Sequence, residues 1–238
     1  MCFWHTLCCF TLQRLNVRCN PLDVFNTIKM LNPRQRAAIG RKGFADILRM
    51  KLDGLGSRSL LAWLMDKLNP ADMTIRAGPG KELKITKDTV RLILGLPCAG
   101  GGKPKSEDPV EAAERLRTSL SVSKEELGIR YLQKILKDGD DTDPTIRCFF
   151  FILFNRLLFP TASWDISNNE VVLTEQMERF PDIDWCQLVF NCLCDAARRW
   201  HRRDRTKVST TIYGCSIVIL VSVHLSLFCF EASIAYVC

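Results

Sequence analysis

The sequence has few histidines and lacks the short motifs on which many catalytic and metal sites depend. Its 238 residues include three histidines, and none of them stands in an HExxH motif or beside a GxSxG turn. Because those motifs place a zinc-ligand pair or a serine nucleophile, their absence argues against zinc peptidases and α/β-hydrolases. Glycine and proline number only 13 and 10, which excludes collagen-like and low-complexity chains.

Cysteine is abundant, but its spacing does not predict a metal site. None of the twelve cysteines belongs to a CxxC pair, and Cys192 and Cys194 would point to different faces of a helix. A zinc site would need a second pair or a histidine at suitable spacing. Several thiols lie in apolar runs, where a reduced cysteine of an intracellular protein behaves as a small hydrophobe. These are Cys148, Cys186, Cys192 and Cys194.

The acidic pairs do not form a catalytic pattern either. Glu125–Glu126 and Asp140–Asp141 are neighbours in sequence, and adjacent residues do not face each other on a helix. The run 138–143 lacks the sixth-position glycine and the final glutamate of a calcium loop, so we predict a polar turn there. We therefore assign no catalytic residue, no cofactor and no metal, and we expect the protein not to be an enzyme.

Apolar spacing and capping residues predict the fold class. At 47% hydrophobic and 25% charged residues, the composition is that of a folded domain with a real core. Helix starts are predicted at Asn32-Pro33, at Ser57 or Ser59, at Thr86 and at Asp184. Asp143-Pro144 is predicted to open a central core helix that contains the apolar run Cys148–Phe159. Residues 73–76 and 81–85 alternate apolar with polar side chains, which indicates a hairpin. We predict a mainly α, multi-helix globular domain with one small β-hairpin.

The chain is expected to divide into three segments. Residues 1–30 should be a poorly ordered N-terminal segment without a signal-peptide pattern, and residues 31–208 the helical domain. Residues 209–238 should form an apolar C-terminal helix. Within it, 212–230 carries no formal charge and would reach about 28 Å as a helix. Three interpretations stay open for it: a membrane span, the last core helix, or the truncated end of a gene model.

Basic residues are concentrated just before that tail. The formal net charge is +7, and residues 198–207 contain six basic residues and one acid. Such a run is typical of a solvated helix end, a nucleic-acid or nuclear-import patch, or the cytoplasmic flank of a membrane segment. The candidate interaction patch consists of Arg198, Arg199, Arg202, Arg203, Arg205 and Lys207.

Several segments, taken in order, resemble a known family. They are Leu31-Asn-Pro-Arg, Leu61-Ala-Trp63-Leu64, Val90 to Pro97 with its Ile-Leu-Gly-Leu-Pro ending, Phe149 to Pro160, and Ile183-Asp-Trp-Cys186. Their order and spacing are similar to the plant mobile domain, also called the aminotransferase-like plant mobile domain. Domains of that family occur in plant transposable-element proteins, often upstream of an Ulp1-like cysteine peptidase domain, and in host proteins that silence transposons and maintain meristems.

The resemblance implies a function without catalysis. No pyridoxal-phosphate lysine pattern carries over, so no aminotransferase activity is expected. The resemblance implies a transposon-derived or domesticated nuclear module that binds a protein partner or chromatin, with the basic run contacting acidic partners. Two alternatives remain at this stage. One is a tail-anchored membrane protein with a cytosolic helical domain, and the other is an inactive fragment of a peptidase-bearing transposon protein.

Overall fold

The computed structural model describes residues 14–51, 54–78, 80–98, 108–120, 128–162 and 168–235. It confirms the predicted class, because the fold is mainly α, is 62% helical and contains a small three-stranded sheet. The helices are α1 (Pro21–Met30), α2 (Pro33–Ile39), α3 (Arg58–Lys67), α4 (Lys87–Leu94), α5 (Pro109–Leu120), α6 (Ile129–Asp138), α7 (Asp143–Leu153), α8 (Asn168–Leu173), α9 (Trp185–His201) and α10 (Ile217–Ala235). The strands are β1 (Arg14–Val17), β2 (Leu68–Asn69), β3 (Thr74–Gly78), β4 (Lys81–Lys84) and β5 (Ser209–Ile212).

Capping residues begin helices where the sequence predicts, and a glycine ends one of them. Asn32 starts α2 with a reciprocal box, in which its Oδ1 accepts from the Gln35 amide at 2.9 Å and the Gln35 side chain accepts from the Asn32 amide at 3.0 Å. Thr86 caps α4 in the same reciprocal manner. Gly95 ends α4 in the left-handed conformation at φ 59°, which a side chain would disfavour. These local signals therefore fix the helix boundaries around the central core.

The predicted hairpin is confirmed and extended by a short third strand. Strands β3 and β4 pair antiparallel with Ile75 opposite Leu83. Strand β2 pairs with β3 through Leu68 opposite Ile75, so the chain passes directly from α3 into the sheet. This two-residue strand escapes prediction because it is too short to show an alternating pattern.

The boundaries expected after residues 30 and 208 do not separate structural units. Helix α1 lies inside the segment expected to be poorly ordered, and its Val24 and Ile28 are buried in the core. Strands β1 and β5 pair in parallel, with Val17 opposite the buried Ile212. Residues on both sides of the expected domain therefore belong to its fold, while residues 1–13 lie outside the described part.

A cluster of aromatic rings forms the centre of the core. Phe44, Phe150, Phe154, Phe180 and Trp185 are fully buried. The Trp185 ring centroid lies 4.9 Å from that of Phe180 and 5.0 Å from that of Phe154. The Trp185 indole N–H donates to the Phe180 carbonyl at 2.9 Å. The Phe180 contact is edge-to-face and the Phe154 contact is tilted. Together with the hydrogen bond they fix the start of α9 against the end of α7, the predicted core helix.

A glycine allows a close approach on the other side of this cluster. Gly43 has φ 90°, and a Cβ atom there would lie 2.6 Å from the Pro97 ring. The short π-helical turn Gly40–Phe44 that contains it carries Phe44 into the ring cluster. Gly43 therefore brings the segment after α4 against the core.

The C-terminal apolar segment begins as a core helix. Ile217, Val218 and Ile219 at the start of α10 are buried, as is the preceding Cys215. This agrees with the last-core-helix interpretation for the first turn. Among the described residues, no helix is long and apolar enough to cross a membrane.

Candidate interaction surface and a thiol cluster

The predicted basic run lies at the C-terminal end of α9 and in the segment that follows it. Arg198 and Arg199 are on the last turn of the helix, and Arg202, Arg203, Arg205 and Lys207 follow before β5 begins. Positive side chains there oppose the negative end of the helix dipole, which stabilises the helix. The fold therefore groups all six predicted residues at one end of the domain.

Arg203 differs from the other five because it is built into the fold. Its guanidinium stacks 3.6 Å from the centroid of the Trp200 ring. It donates to the Asp66 carboxylate at 2.7 Å and to the Trp200 carbonyl at 2.7 Å, and only 14% of its side chain is exposed. The Trp200 indole N–H donates to the same carboxylate at 2.9 Å. Arg203, Trp200 and Asp66, which we call the Trp200 anchor, tie α9 to the end of α3.

His201 reinforces this attachment. His201 is exposed, yet its ring also contacts the end of α3. The His201 Nε2 donates to the carbonyls of Met65 at 3.0 Å and Leu68 at 2.7 Å, at the C-terminal end of α3. Those carbonyls lie where a helix end leaves backbone acceptors unpaired, so the histidine caps α3 from a neighbouring helix.

The other five basic residues, Arg198, Arg199, Arg202, Arg205 and Lys207, are exposed. We call them the exposed basic surface. Two carboxylates balance part of its charge, since Arg198 lies 2.7 Å from Asp195 and Arg205 lies 3.9 Å from Asp66. Arg205 nevertheless keeps 73% of its side chain exposed. These partially paired, solvated cations can be recruited by an acidic partner at small desolvation cost.

Asp204 lies inside the run and is held by a short turn. Its carboxylate accepts from the Thr206 hydroxyl at 2.6 Å and from the Thr206 amide at 2.9 Å. These hydrogen bonds lower the pKa of Asp204 below its ordinary value of 3.8, since they favour the charged form. The turn thus fixes the backbone that presents Arg205 and Lys207.

An exposed aromatic side chain lies on α3 beside the Trp200 anchor. Trp63 is 44% exposed, and the Lys67 ammonium lies 5.8 Å from its ring centroid. Trp63 and Asp66 are three residues apart on α3 and so share a face of that helix. The basic end of the domain therefore combines arginines with an accessible indole, an arrangement absent from the sequence prediction.

A second cluster joins two cysteines and a carboxylate that sequence reasoning left apart. The ligand atoms of Cys98, Asp184 and Cys186 all lie within 4.8 Å of one another. Asp184 also forms an ion pair with the Lys87 ammonium. Burial, followed by a hydrogen bond with Cys98, raises the pKa of the Cys186 thiol. These residues could hold a metal ion, and sequence spacing could not reveal it because Cys98 is distant along the chain.

The remaining predicted thiols are core residues. Cys148 and Cys194 are buried, and Cys192 is half-buried. Burial raises the pKa of Cys148 to about 12 and that of Cys192 to about 11, so both thiols stay neutral at physiological pH. Within the described ranges, neither Cys192 nor Cys194 belongs to a cluster of potential metal ligands.

The fold and its basic end define a mainly α domain with a small sheet and a charged, partly aromatic surface. The chain belongs to a family described as Domain of unknown function (DUF8566), whose model matches residues 17–220. The match includes α1, the basic run, β5 and the start of α10. No curated protein and no solved structure matches the chain. The resemblance to the plant mobile domain stays a prediction.

Proposed function

We propose that this protein is a non-enzymatic interaction module of the plant mobile domain type. In this proposal it is transposon-derived or domesticated, acts in the nucleus, and binds a protein partner on chromatin or chromatin itself. The exposed basic surface makes the contact with acidic groups of that partner. The sequence resemblance supplies the biological setting, and the grouping of basic side chains supplies the physical basis.

The proposal rests on a difference in burial within the basic run. Arg203 is largely buried and attached to Trp200 and Asp66, whereas the other five basic side chains are exposed at the same end. If the run served only to end α9, exposed charges beyond the helix would add little. A rigid anchor beneath several solvated cations instead favours a surface that binds anionic groups.

Trp63 suggests that the contact is more than electrostatic. Exposed tryptophan and arginine are the residue types most often found at the energetic centres of protein interfaces. An indole can also stack on an unpaired base. Because Trp63 lies on the α3 face that carries Asp66, a partner that neutralises the arginines would reach the indole as well.

The experiment compares two variants with the same loss of charge. In the first, all five residues of the exposed basic surface become Gln while Arg203 is kept. In the control, five exposed basic residues elsewhere become Gln: Arg34, Arg41, Lys51, Lys134 and Lys137. Binding to reconstituted mononucleosomes is measured at two salt concentrations, together with nuclear retention of a fluorescent fusion.

We expect the surface variant to lose about tenfold or more in nucleosome affinity and to show a flatter salt dependence, because fewer counterions are released. The control variant should bind and localise like the unmodified protein. The proposal is wrong if the surface variant keeps both nucleosome affinity and nuclear retention. Equal losses in the two variants would also contradict it, since net charge rather than this surface would then be responsible.

A further inference from the structure

The cluster of Cys98, Asp184 and Cys186 has the composition of a site for a thiophilic cation. Two sulfur atoms and a carboxylate oxygen lie within 4.8 Å of one another. In a tetrahedral zinc site the metal–ligand distances of about 2.0–2.3 Å place neighbouring ligand atoms roughly 3.5–3.8 Å apart. A contraction of about 1 Å would therefore bring the three atoms to coordination distance.

The backbone already holds the two contributing segments together. Cys98 and Asp184 face each other in an isolated antiparallel bridge. The Trp185 amide donates to the Pro97 carbonyl at 3.1 Å, and the Cys186 thiol donates to the Leu96 carbonyl at 3.5 Å. Since the Trp185 side chain is locked in the ring cluster, the residues on either side of it have little freedom to move apart. The cluster is thus pre-organised, which lowers the cost of assembling a site.

The position next to the carboxylate already attracts a positive charge. Asp184 Oδ2 pairs with the Lys87 ammonium, while Oδ1 accepts from the Gln187 amide at 3.0 Å and caps α9. The Lys87 side chain is 34% exposed and Asp184 is 17% exposed. A flexible lysine at the surface can swing into solvent, so its place beside Oδ2 can be taken by a metal ion.

An open cavity lies beside the cluster, on the side of Cys98. Cys98 lines a cavity of about 1040 Å³ together with Asp88, Arg91 and Pro97. Cys98 itself is half-buried, whereas Cys186 is buried. Cys98 is therefore the member of the cluster that is most accessible from this cavity.

We propose that Cys98, Asp184 and Cys186 form a binding site for a thiophilic divalent cation, with Zn²⁺ as the best match. The ion would replace the Lys87 ammonium at Asp184 Oδ2, and a water molecule from the cavity would supply the fourth ligand. Each thiol loses its proton to solvent on binding, so two protons are released for each ion. Two sulfur ligands select Zn²⁺ over Mg²⁺ or Ca²⁺, which prefer sites made of oxygen atoms.

Cobalt substitution tests the proposal without any assay of activity. The reduced full-length chain is titrated with Co²⁺, and thiolate-to-cobalt absorption in the near ultraviolet is recorded. We expect a band that saturates at one ion per chain and disappears when one equivalent of Zn²⁺ is added, because Zn²⁺ binds such sites more tightly than Co²⁺. Mg²⁺ should leave the band unchanged.

Variants then assign the ligands. Cys98→Ser and Cys186→Ser should each weaken or abolish the band, while Cys148→Ser and Cys194→Ser, which alter thiols outside the cluster, should keep it. Asp184→Asn should lower the Co²⁺ affinity about tenfold or more. Asparagine is as good a helix cap as aspartate, so this variant keeps the start of α9 intact. If Cys186→Ser does not fold, the half-buried Cys98 and the cap-preserving Asp184→Asn still decide the question.

Three results would overturn the assignment. One is the absence of a cobalt band at stoichiometric metal. The second is a band that survives in both Cys98→Ser and Asp184→Asn, since the ion would then lie on other cysteines. The third is an unchanged affinity in Asp184→Asn together with a Cys98–Cys186 disulfide in peptide maps of the purified protein.

Discussion

The two ends of α9 each hold a buried tryptophan. The indole at one end contacts apolar rings, and the indole at the other end contacts charged side chains. Trp185 at the first turn is surrounded by phenylalanine rings and donates to a backbone carbonyl. Trp200 at the last turn is covered by the Arg203 guanidinium and donates to the Asp66 carboxylate. Both are almost fully buried, at 0% and 3% exposure.

The difference shows which end is free to take part in binding. At the first turn every contact of Trp185 is internal, and a change there is expected to affect stability. At the last turn, Arg203 and Asp66 contact the buried Trp200, and exposed arginines lie directly beside them in the sequence. The residues that support the core there therefore adjoin a surface that a partner can reach. A basic residue in this region can therefore matter for stability or for binding, according to its burial.

The largest effect is expected at the aromatic end. Trp185→Ala should lower the free energy of unfolding by about 3–5 kcal/mol, because it leaves a cavity among rings that cannot close around it. Chemical denaturation followed by circular dichroism measures the loss. The half-exposed Trp63→Ala is the matched control and should cost less than about 1 kcal/mol. Similar losses in the two variants would show that the ring cluster is not the centre of the core.

A smaller effect is expected at the charged end. Arg203→Gln should lower the free energy of unfolding by about 1–2 kcal/mol, since it removes the stacking on Trp200 and leaves the Asp66 carboxylate with one donor fewer. The neighbouring Arg202→Gln, at an exposed position, should change stability by less than about 0.5 kcal/mol. Urea titrations of both variants make the comparison. If the two variants have the same free energy of unfolding, Arg203 does not stabilise the attachment of α9 to α3.

The smallest effect concerns the turn inside the basic run. Hydrogen bonds from Thr206 lower the pKa of Asp204 in the folded protein. The stability that they add is therefore present above the ordinary pKa of 3.8 and is lost as the pH falls through the lower, folded-state value. Thr206→Ala should move the Asp204 pKa upward, as carboxyl carbon shifts in an NMR titration would show. An unchanged Asp204 titration curve in this variant would show that the Thr206 hydroxyl does not hold the Asp204 carboxylate in this turn.

Local sequence signals predicted much of the fold. The caps Asn32, Ser57, Thr86 and Asp184 lie where expected, because each depends on side-chain hydrogen bonds to the next turn of backbone. The apolar run that starts at Cys148 was predicted as part of the core helix, and residues 148–158 are buried. The β1–β5 pair was missed because parallel pairing across most of the chain leaves no nearby pattern.

The same limit applies to the candidate sites: the sequence predicted one of them and missed the other. The basic run could be predicted as a patch because its residues are consecutive, but the separate role of Arg203 depends on Trp200 and on Asp66 in another helix. The Cys98–Asp184–Cys186 cluster could not be predicted, since a backbone bridge between distant segments brings its members together. Spacing rules find sites within one element and miss those made by tertiary contacts.

The pairing of β1 with β5 also sets an order of events during synthesis. Strand β1 leaves the ribosome long before Ser209–Ile212 exists to pair with it. At 5–20 residues per second, the wait is about ten to forty seconds. During that time the backbone groups of Arg14–Val17 lack the partner strand that they have in the finished protein. A nascent chain that stalls before residue 212 would leave this strand unpaired and therefore open to mispairing or to chaperone capture.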